Sequence, residues 1–390
     1  MKKMVVVITS RPSYSRIKSV LTEIKKNNNF KLYIIATASC LLKRYGKTVD
    51  IIRDDGFNVD ETVYMLVEGE NPTTMAKTVG LGIIELATIF DNIKPDMVLT
   101  IADRYETMST VIAASCLNIP IVHIQGGELT GSIDEKIRHA ITKFSSLHFV
   151  SNNKCEERLT KMGENPNTIY VTGCPSIDLA RLVNESKPIT NEDFYKRYID
   201  VIIDRNPLDI DKDFIIVLQH SVTTEHEESY NQIYQTLLAV SELDIQVLVL
   251  YPNVDAGANN ITSAIQTFRN KLKPKNMYYF INFIPEDFLS LLIKSKCIVG
   301  NSSVGIREAS YLGVPCVNVG NRQKNRDRAK NVIDVDYNKK DIKDAIMKQI
   351  KHGKYKSSTI YGDGYAGNLI SEILDKVEPS IEKEFYENNS

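Results

Sequence analysis

The sequence has almost no net charge, no cysteine pair at metal-binding spacing, no glycine signature for a dinucleotide and no apolar run of membrane length. Across 390 residues, 48 Lys+Arg stand against 49 Asp+Glu, for a formal net charge of -1. Without a basic footprint, nucleic acid is not an expected partner. Cys40, Cys116, Cys155, Cys174, Cys297 and Cys316 form no C-x-x-C pair, which gives neither a disulfide framework nor a zinc site. Cys297 and Cys316 sit in apolar runs and read as buried thiols. The histidines lack H-E-x-x-H spacing and the chain lacks G-x-G-x-x-G, so no metal and no nicotinamide cofactor is expected. No apolar run approaches the roughly 18 residues of a membrane span. The apolar start ends in a polar loop at Thr9 and reads as a strand rather than a leader. A cytoplasmic protein without a membrane partner is expected.

What remains is ordinary globular composition, 43% hydrophobic and 25% charged, and a length suited to two or three domains of roughly 150 residues. Short β-branched runs alternate with amphipathic stretches. The pattern predicts strands over 4–9, 32–37, 97–101, 121–124, 147–150 and 169–171, and helices over 14–26, 73–93, 105–117 and 133–144. Runs such as "MVVVIT" are apolar without alternation, as parallel strands covered on both faces must be. After a looser stretch with Pro175, Pro188 and Pro207, the alternation resumes. Strands are expected over 214–219, 246–252, 277–281, 297–301 and 315–319, with helices over 227–243, 259–271, 286–294 and from 303. The fold class is α/β, with two doubly wound Rossmann-like domains facing a central cleft. The expected domains are 1–172, with a C-terminal helix (365–390) packing back on it, and 173–364.

The polar residues gather where strands end. In "CIVGNSSVGIRE", Ser302 and Ser303 open a helix whose free amides and dipole suit a phosphate or diphosphate. Gly305 lets another backbone or a ligand approach closely, and Glu308 could accept hydrogen bonds from ribose hydroxyls. A helix cap followed by a solvated acid would look the same. Arg11, in "SRPSYSR", could grip a phosphate bidentately or be a surface arginine, and Ser15 follows it. Asp103 and Arg104 follow a strand directly. A carboxylate beside a guanidinium suits a general base, a sugar-hydroxyl acceptor or a structural ion pair. In "HIQGGELTGSIDEKIRH", Ser132 and Glu135 form a capping box, which makes Asp134 a first-turn acid, while Glu128 has no such explanation. His123 reads as a core histidine and His139 as structural. His220 could neutralise a diphosphate or donate a proton near neutral pH, and Asn253 occupies the next strand end.

Taken in order, "SRPSYSR", "ADRYET", "HIQGGELTGSIDEKIRHAITK", "GCPSIDL", "LQHSVTT", "YPNVDAG", "GNSSVGIREASYLGVPCVNVGNRQ" and "IYGDG" resemble the hydrolysing UDP-N-acetylglucosamine 2-epimerases. These include the epimerase half of the bifunctional epimerase/ManNAc kinase. The resemblance implies a GT-B architecture with UDP held mostly against the second domain, no cofactor, and a homo-oligomer, dimer or tetramer. It implies nucleotide contacts from Arg11, Ser15, Arg104, His220, Asn253, Ser302, Ser303, Gly305, Glu308 and Arg322, with Ile284 meeting the uracil through its backbone. It also implies elimination of UDP to a glycal, then hydration to free N-acetylmannosamine. Asp103 and Asp134 match the family's acid/base carboxylates, and His220 lies beside the diphosphate. A third position, glutamate in some members, is Gln125 here. An amide cannot shuttle a proton at neutral pH, so Glu128 or Asp134 takes the role or Gln125 only orients sugar or water. The same chemistry on a 2,4-diacetamido-2,4,6-trideoxyhexose, a non-hydrolysing epimerase, a GT-B glycosyltransferase and a UDP-sugar sensor are the competing readings.

Overall fold

The structure is a computed structural model that describes residues 1–199 and 208–387. Pro207 and the last three residues of the expected C-terminal helix lie outside these. The chain divides into two compact units, one of residues Met1–Leu129, Ile133–Leu179 and Tyr361–Ser390, the other of Thr130–Ser132 and Ala180–Ile360.

The first unit carries strands β1 (Lys2–Ile8), β2 (Phe30–Thr37), β3 (Glu61–Val63), β4 (Met97–Ile101), β5 (Ile121–Ile124), β6 (Leu147–Val150) and β7 (Ile169–Val171). They form one parallel sheet in the order β3-β2-β1-β4-β5-β6-β7. Alternation along β1 explains its unbroken apolar run. Met4, Val6 and Ile8 pack on one side with Ile17, Leu21, Ile370 and Leu374, and Val5 packs on the other with Leu86, Phe90, Val111 and Ile141. Both faces are covered, so neither needs polar residues. Gly82, in helix Pro72–Ile93, meets Met65 and Ser109 so closely that a Cβ would displace them. Truncating a fully buried Leu21 or Ile24 would cost about 2–5 kcal/mol.

The second unit carries β8 (Phe214–Leu218), β9 (Gln246–Leu250), β10 (Met277–Phe280), β11 (Cys297–Gly300), β12 (Cys316–Val319) and β13 (Val332–Val335). They lie parallel in the order β10-β9-β8-β11-β12-β13. Strand order reverses between β1 and β4 in one sheet and between β8 and β11 in the other. At such switch points the loops diverge and open a crevice beyond the carboxyl ends. Gly300 ends β11 at φ +129°, where a Cβ would strike the Leu218 carbonyl.

Four expectations need correction. The crossing from the first unit falls after Leu179 rather than 172, because the start of helix Pro175–Glu185 is tied to the chain's end. Cys174 N donates to Tyr361 O (2.7 Å), and the Asp178 carboxylate accepts from Ala366 N (2.9 Å) and Gly367 N (2.7 Å). The C-terminal helix spans only Ala366–Lys376; residues 377–387 run without regular structure, held by Lys383, Phe385 and Tyr386. Lys383 Nζ bonds the carbonyls of Thr142 (2.8 Å) and Ser145 and pairs with Glu164 (2.5 Å). Phe385 lies on Gly163, whose carbonyl accepts from Tyr386 N (2.9 Å). The helix expected from 227 begins at Ser229, after a 3-10 stretch, Thr223–Glu228, kinked at Glu225. Finally, helix Pro72–Ile93 is long and apolar enough to cross a membrane by length and composition, although threonines and glycines break its apolar run.

Candidate functional site

In the first unit the polar residues collect at the carboxyl ends of β4 and β5. Asp103 follows Ala102, a non-glycine residue at φ +65°. That left-handed turn normally costs an L-residue about 1–2 kcal/mol. It is pinned from both sides, since Ala102 N donates to Ile124 O (2.9 Å) and Ala102 O lies 3.0 Å from His123 Nε2. The His123 ring also meets Thr142 Oγ1 at 3.2 Å, and burial pushes its pKa down to about 3, so it works as a neutral ring. The turn aims Asp103, only 6% exposed, at two guanidinium groups. Arg138 closes an ion pair with it, and Arg16 lies at 3.4 Å. Arg138 Nη1 donates to Glu128 O (2.6 Å), so one buried arginine joins the Asp103 turn to the glycine loop. Burial works against the charge of Arg138, but Asp103, Glu128 and Asp134 more than offset it and raise its pKa.

The Glu128 carboxylate accepts from Ser151 Oγ (2.8 Å). Gln125, buried at φ +69°, donates from Nε2 to Cys174 Sγ (2.8 Å). Asp134 sits half-buried in the first turn of helix Ile133–Phe144, one turn before Arg138. Glu135 reaches His139 (3.1 Å) and Arg138 (3.7 Å). Asp103, Glu128 and Asp134 thus share one arginine. Arg104 forks onto Glu106 (2.8 and 3.1 Å), itself fully buried. The two parallel bonds are the bidentate match of a planar guanidinium to a carboxylate. Arg11 begins helix Arg11–Lys26, which Ser10 caps, and the Ser15 hydroxyl donates to the Arg11 carbonyl (3.0 Å).

In the second unit the equivalent edge gathers His220, Asn253 and Arg322 around Asn301. Asn301 Oδ1 accepts from His220 N (2.7 Å), and its amide donates to His220 O (2.8 Å). Asn253 N donates to His220 Nδ1 (3.3 Å), which leaves the proton of the neutral ring on Nε2. Arg322 and Gln323 both donate to Asn301 O (3.4 and 2.9 Å), and Arg322 O accepts from Gly131 N (3.0 Å). Ser302 caps a three-residue 3-10 turn, Ser303–Gly305, and a separate four-residue helix begins at Glu308. The continuous helix expected from 303 is broken because Asn331 takes the Gly305 carbonyl (3.3 Å). Gly305 packs closely, since a Cβ there would lie 2.5 Å from Cys316 Sγ. Arg307, 1% exposed, donates to Ser303 Oγ (3.0 Å). Glu308 is 7% exposed, and its Oε2 has no hydrogen-bond donor among the described residues, with Arg307 Nε at 3.8 Å. Ile284 lies before helix Pro285–Lys294 with both backbone groups engaged, N–H to Tyr198 Oη (3.2 Å) and C=O from Phe288 N (3.0 Å).

Arg16, Arg138, Ser151, Cys174, Asn301 and Arg307 do structural work at these edges that spacing alone does not reveal. Among the described residues no group of three or more His, Cys, Asp or Glu side chains is placed to hold a metal.

Two doubly wound parallel sheets, each with its polar residues collected at a switch point, define a GT-B-like protein. A UDP-N-acetylglucosamine 2-epimerase family model matches residues 22–375. The chain is 32% identical over 376 residues (96% of each chain) to the UDP-N,N'-diacetylbacillosamine 2-epimerase (hydrolyzing) of Legionella pneumophila. It is 29% identical over 395 residues, covering both chains in full, to the UDP-N-acetylglucosamine 2-epimerase of Neisseria meningitidis. The fold matches a crystal structure of a Neisseria meningitidis UDP-GlcNAc 2-epimerase bound to UDP-GlcNAc with a TM-score of 0.78 at 19% identity, covering 96% of this chain and all of the other. The chain belongs to the UDP-N-acetylglucosamine 2-epimerase family.

Proposed function

We propose that the protein is a hydrolysing 2-epimerase that converts UDP-GlcNAc and water to UDP and free N-acetylmannosamine. The observation that carries the reading is the buried Asp103 carboxylate, clasped by Arg138 and Arg16 beside the glycine loop. The C2 proton of the substrate is next to an amide nitrogen, not α to a carbonyl, so no enolate spreads the charge. Catalysis must stabilise the departing diphosphate and an oxocarbenium-like C1, and must move the proton.

In the proposed sequence the C1–O bond to UDP breaks as a carboxylate, Asp103 or Asp134, takes the C2 proton, which leaves a glycal. Water then adds across the double bond, its oxygen to C1 and a proton to C2 from the opposite face. Gln125, which cannot carry the proton, orients sugar or water. The Nε2–H of His220 donates to the diphosphate, joined by Arg322, Ser302 and Ser303, with Arg11, Ser15 and Arg104 as further contacts. The unbonded Oε2 of Glu308 supports a role as acceptor for ribose hydroxyls, because a buried carboxylate oxygen without a donor costs about 1–3 kcal/mol.

A second reading keeps the chemistry and changes the sugar to a UDP-linked 2,4-diacetamido-2,4,6-trideoxyhexose. The 32% identity to the Legionella pneumophila enzyme favours it. NMR time courses in D2O with each UDP-sugar test both readings. Free 2-epimer with deuterium at C2, and UDP released without an acceptor, is expected. UDP-ManNAc as product would overturn the hydrolysing assignment, and turnover of the diacetamido substrate alone would replace the first reading by the second.

A further inference from the structure

Helix Ile133–Phe144 meets the Asp103 turn with one stripe of side chains. Asp134, Arg138 and Thr142 recur every four residues and so share a face. Arg138 pairs with Asp103 directly. Thr142 reaches the same turn by a second route, because its hydroxyl meets His123 Nδ1 (3.2 Å) and His123 Nε2 meets the Ala102 carbonyl (3.0 Å). Thr142 and His123 are fully buried, so water does not compete for these bonds. Ala102, at φ +65°, keeps its strained conformation only while its surroundings hold it there. The far end of the helix is fastened by the segment 377–387. Lys383 Nζ bonds the carbonyl of Thr142 itself (2.8 Å) and that of Ser145, just past the last turn. Glu164, 2% exposed, fixes the lysine (2.5 Å), and Phe385 on Gly163 anchors the segment. Lys143, at the same helix end, is directed instead to Glu164 (2.8 Å) and the Met162 carbonyl (3.1 Å). We infer that Lys383 is a positioning residue for the reaction: by fixing the Thr142 carbonyl it sets this helix along its axis, and so holds Arg138, Asp134 and the His123 ring against the Asp103 turn. A lysine that only capped the helix end would complement its dipole and contribute stability alone.

The inference rests on the reading of Asp103 and Asp134 as the acid/base carboxylates, and three variants of the full chain test it. K383M removes the bond to Thr142 and is expected to lower kcat about tenfold or more with KM little changed, because a reacting group slips from its place. K143M takes a different cation from Glu164 and is expected to lower the melting temperature while kcat stays at the wild-type value. F385A loosens the segment at a ring 68% exposed, a change that folding tolerates, and is expected to lower kcat by a few-fold. Hydrogen exchange read by mass spectrometry needs no substrate. K383M and F385A should quicken exchange in peptides over 99–105 as well as 133–146, and K143M in the latter alone. Wild-type kcat in K383M, or equal losses in K383M and K143M, would overturn the inference. So would 99–105 peptides that stayed protected while 133–146 loosened. If K383M does not fold, F385A with wild-type kcat and protected 99–105 peptides overturns it. A wild type that turned over neither UDP-sugar would remove the proposed function, and the exchange pattern would then decide the inference by itself.

Discussion

Arg138 offers the most exacting test of how the first unit is held together. Replacing it with methionine removes the ion pair to Asp103 and the bond to Glu128 O (2.6 Å) while retaining much of its apolar volume. Asp103, 6% exposed, keeps the more distant partner Arg16 at 3.4 Å. Breaking one side of a buried pair costs about 3–5 kcal/mol, and the surviving arginine argues for the lower end. In a unit of about 200 residues that lowers the melting temperature by roughly 6–12 °C. D103N should cost a comparable amount, because it strands the guanidinium. The D103N/R138M double variant should cost less than the sum of the singles by about 1.5 kcal/mol or more. Urea denaturation of the four proteins measures the cycle. R138M should also lower kcat about a hundredfold, as misplacement of a reacting group by an ångström does, with KM little changed in a coupled UDP-release assay. Additivity within about 0.5 kcal/mol, or wild-type kcat in R138M, would refute the coupling.

Three further outcomes follow from the geometry. E308Q should weaken UDP binding about tenfold by calorimetry, equivalent to ~1.4 kcal/mol, and unchanged affinity would remove Glu308 from the nucleotide site. Q125A should lower kcat by about tenfold or less while D134N lowers it about a hundredfold or more, the difference between orienting and proton transfer; comparable losses would sink the distinction. Acid stability should depend on Glu164 and His123. Burial opposes the charge of Glu164, but hydrogen bonds from His148, Lys143 and Lys383 hold its pKa at about 2. Desolvation holds His123 at about 3. Both groups bind fewer protons folded than unfolded, so their contribution is full at neutral pH. It fades as pH falls through the ordinary histidine range and then the carboxylate range. E164Q should therefore flatten the drop in urea midpoint between pH about 5 and pH about 2, and an unchanged slope there would contradict the ionised, clamped carboxylate.

The doubly wound sheets were legible because strands such as β4 and β8 are covered on both faces, and their apolar runs announce it. Strands β3 and β13 were missed: one is three residues long, and the other is only partly buried and follows an irregular basic loop. Site residues that directly follow strands, such as Asp103, His220 and Asn253, could be found by position. Their supporting arginines could not. Arg16 and Arg138 lie within helices, where an arginine turned to solvent and one buried on a carboxylate occupy the same sequence pattern. Only tertiary packing decides between them, and the same holds for the fork of Arg104 onto Glu106. The break after Ser303 escaped notice because Asn331, the side chain that takes the Gly305 carbonyl, arrives from far along the chain.

The first unit is sewn shut by its own last residues, with Asp178 holding the start of the final helix and Glu164 gripping Lys383. On a translating ribosome this is a matter of timing. The seven strands emerge early, but about 180 residues of the other unit must be made before the closing segment exists. At about 5–20 residues per second the wait is roughly 9–36 s. Throughout it the groove beneath Ile17 and Leu21 that Ile370 and Leu374 will fill lies open to chaperones and to other nascent chains. Yield in a recombinant host should therefore respond to chaperone supply and to anything that stalls translation of the closing segment.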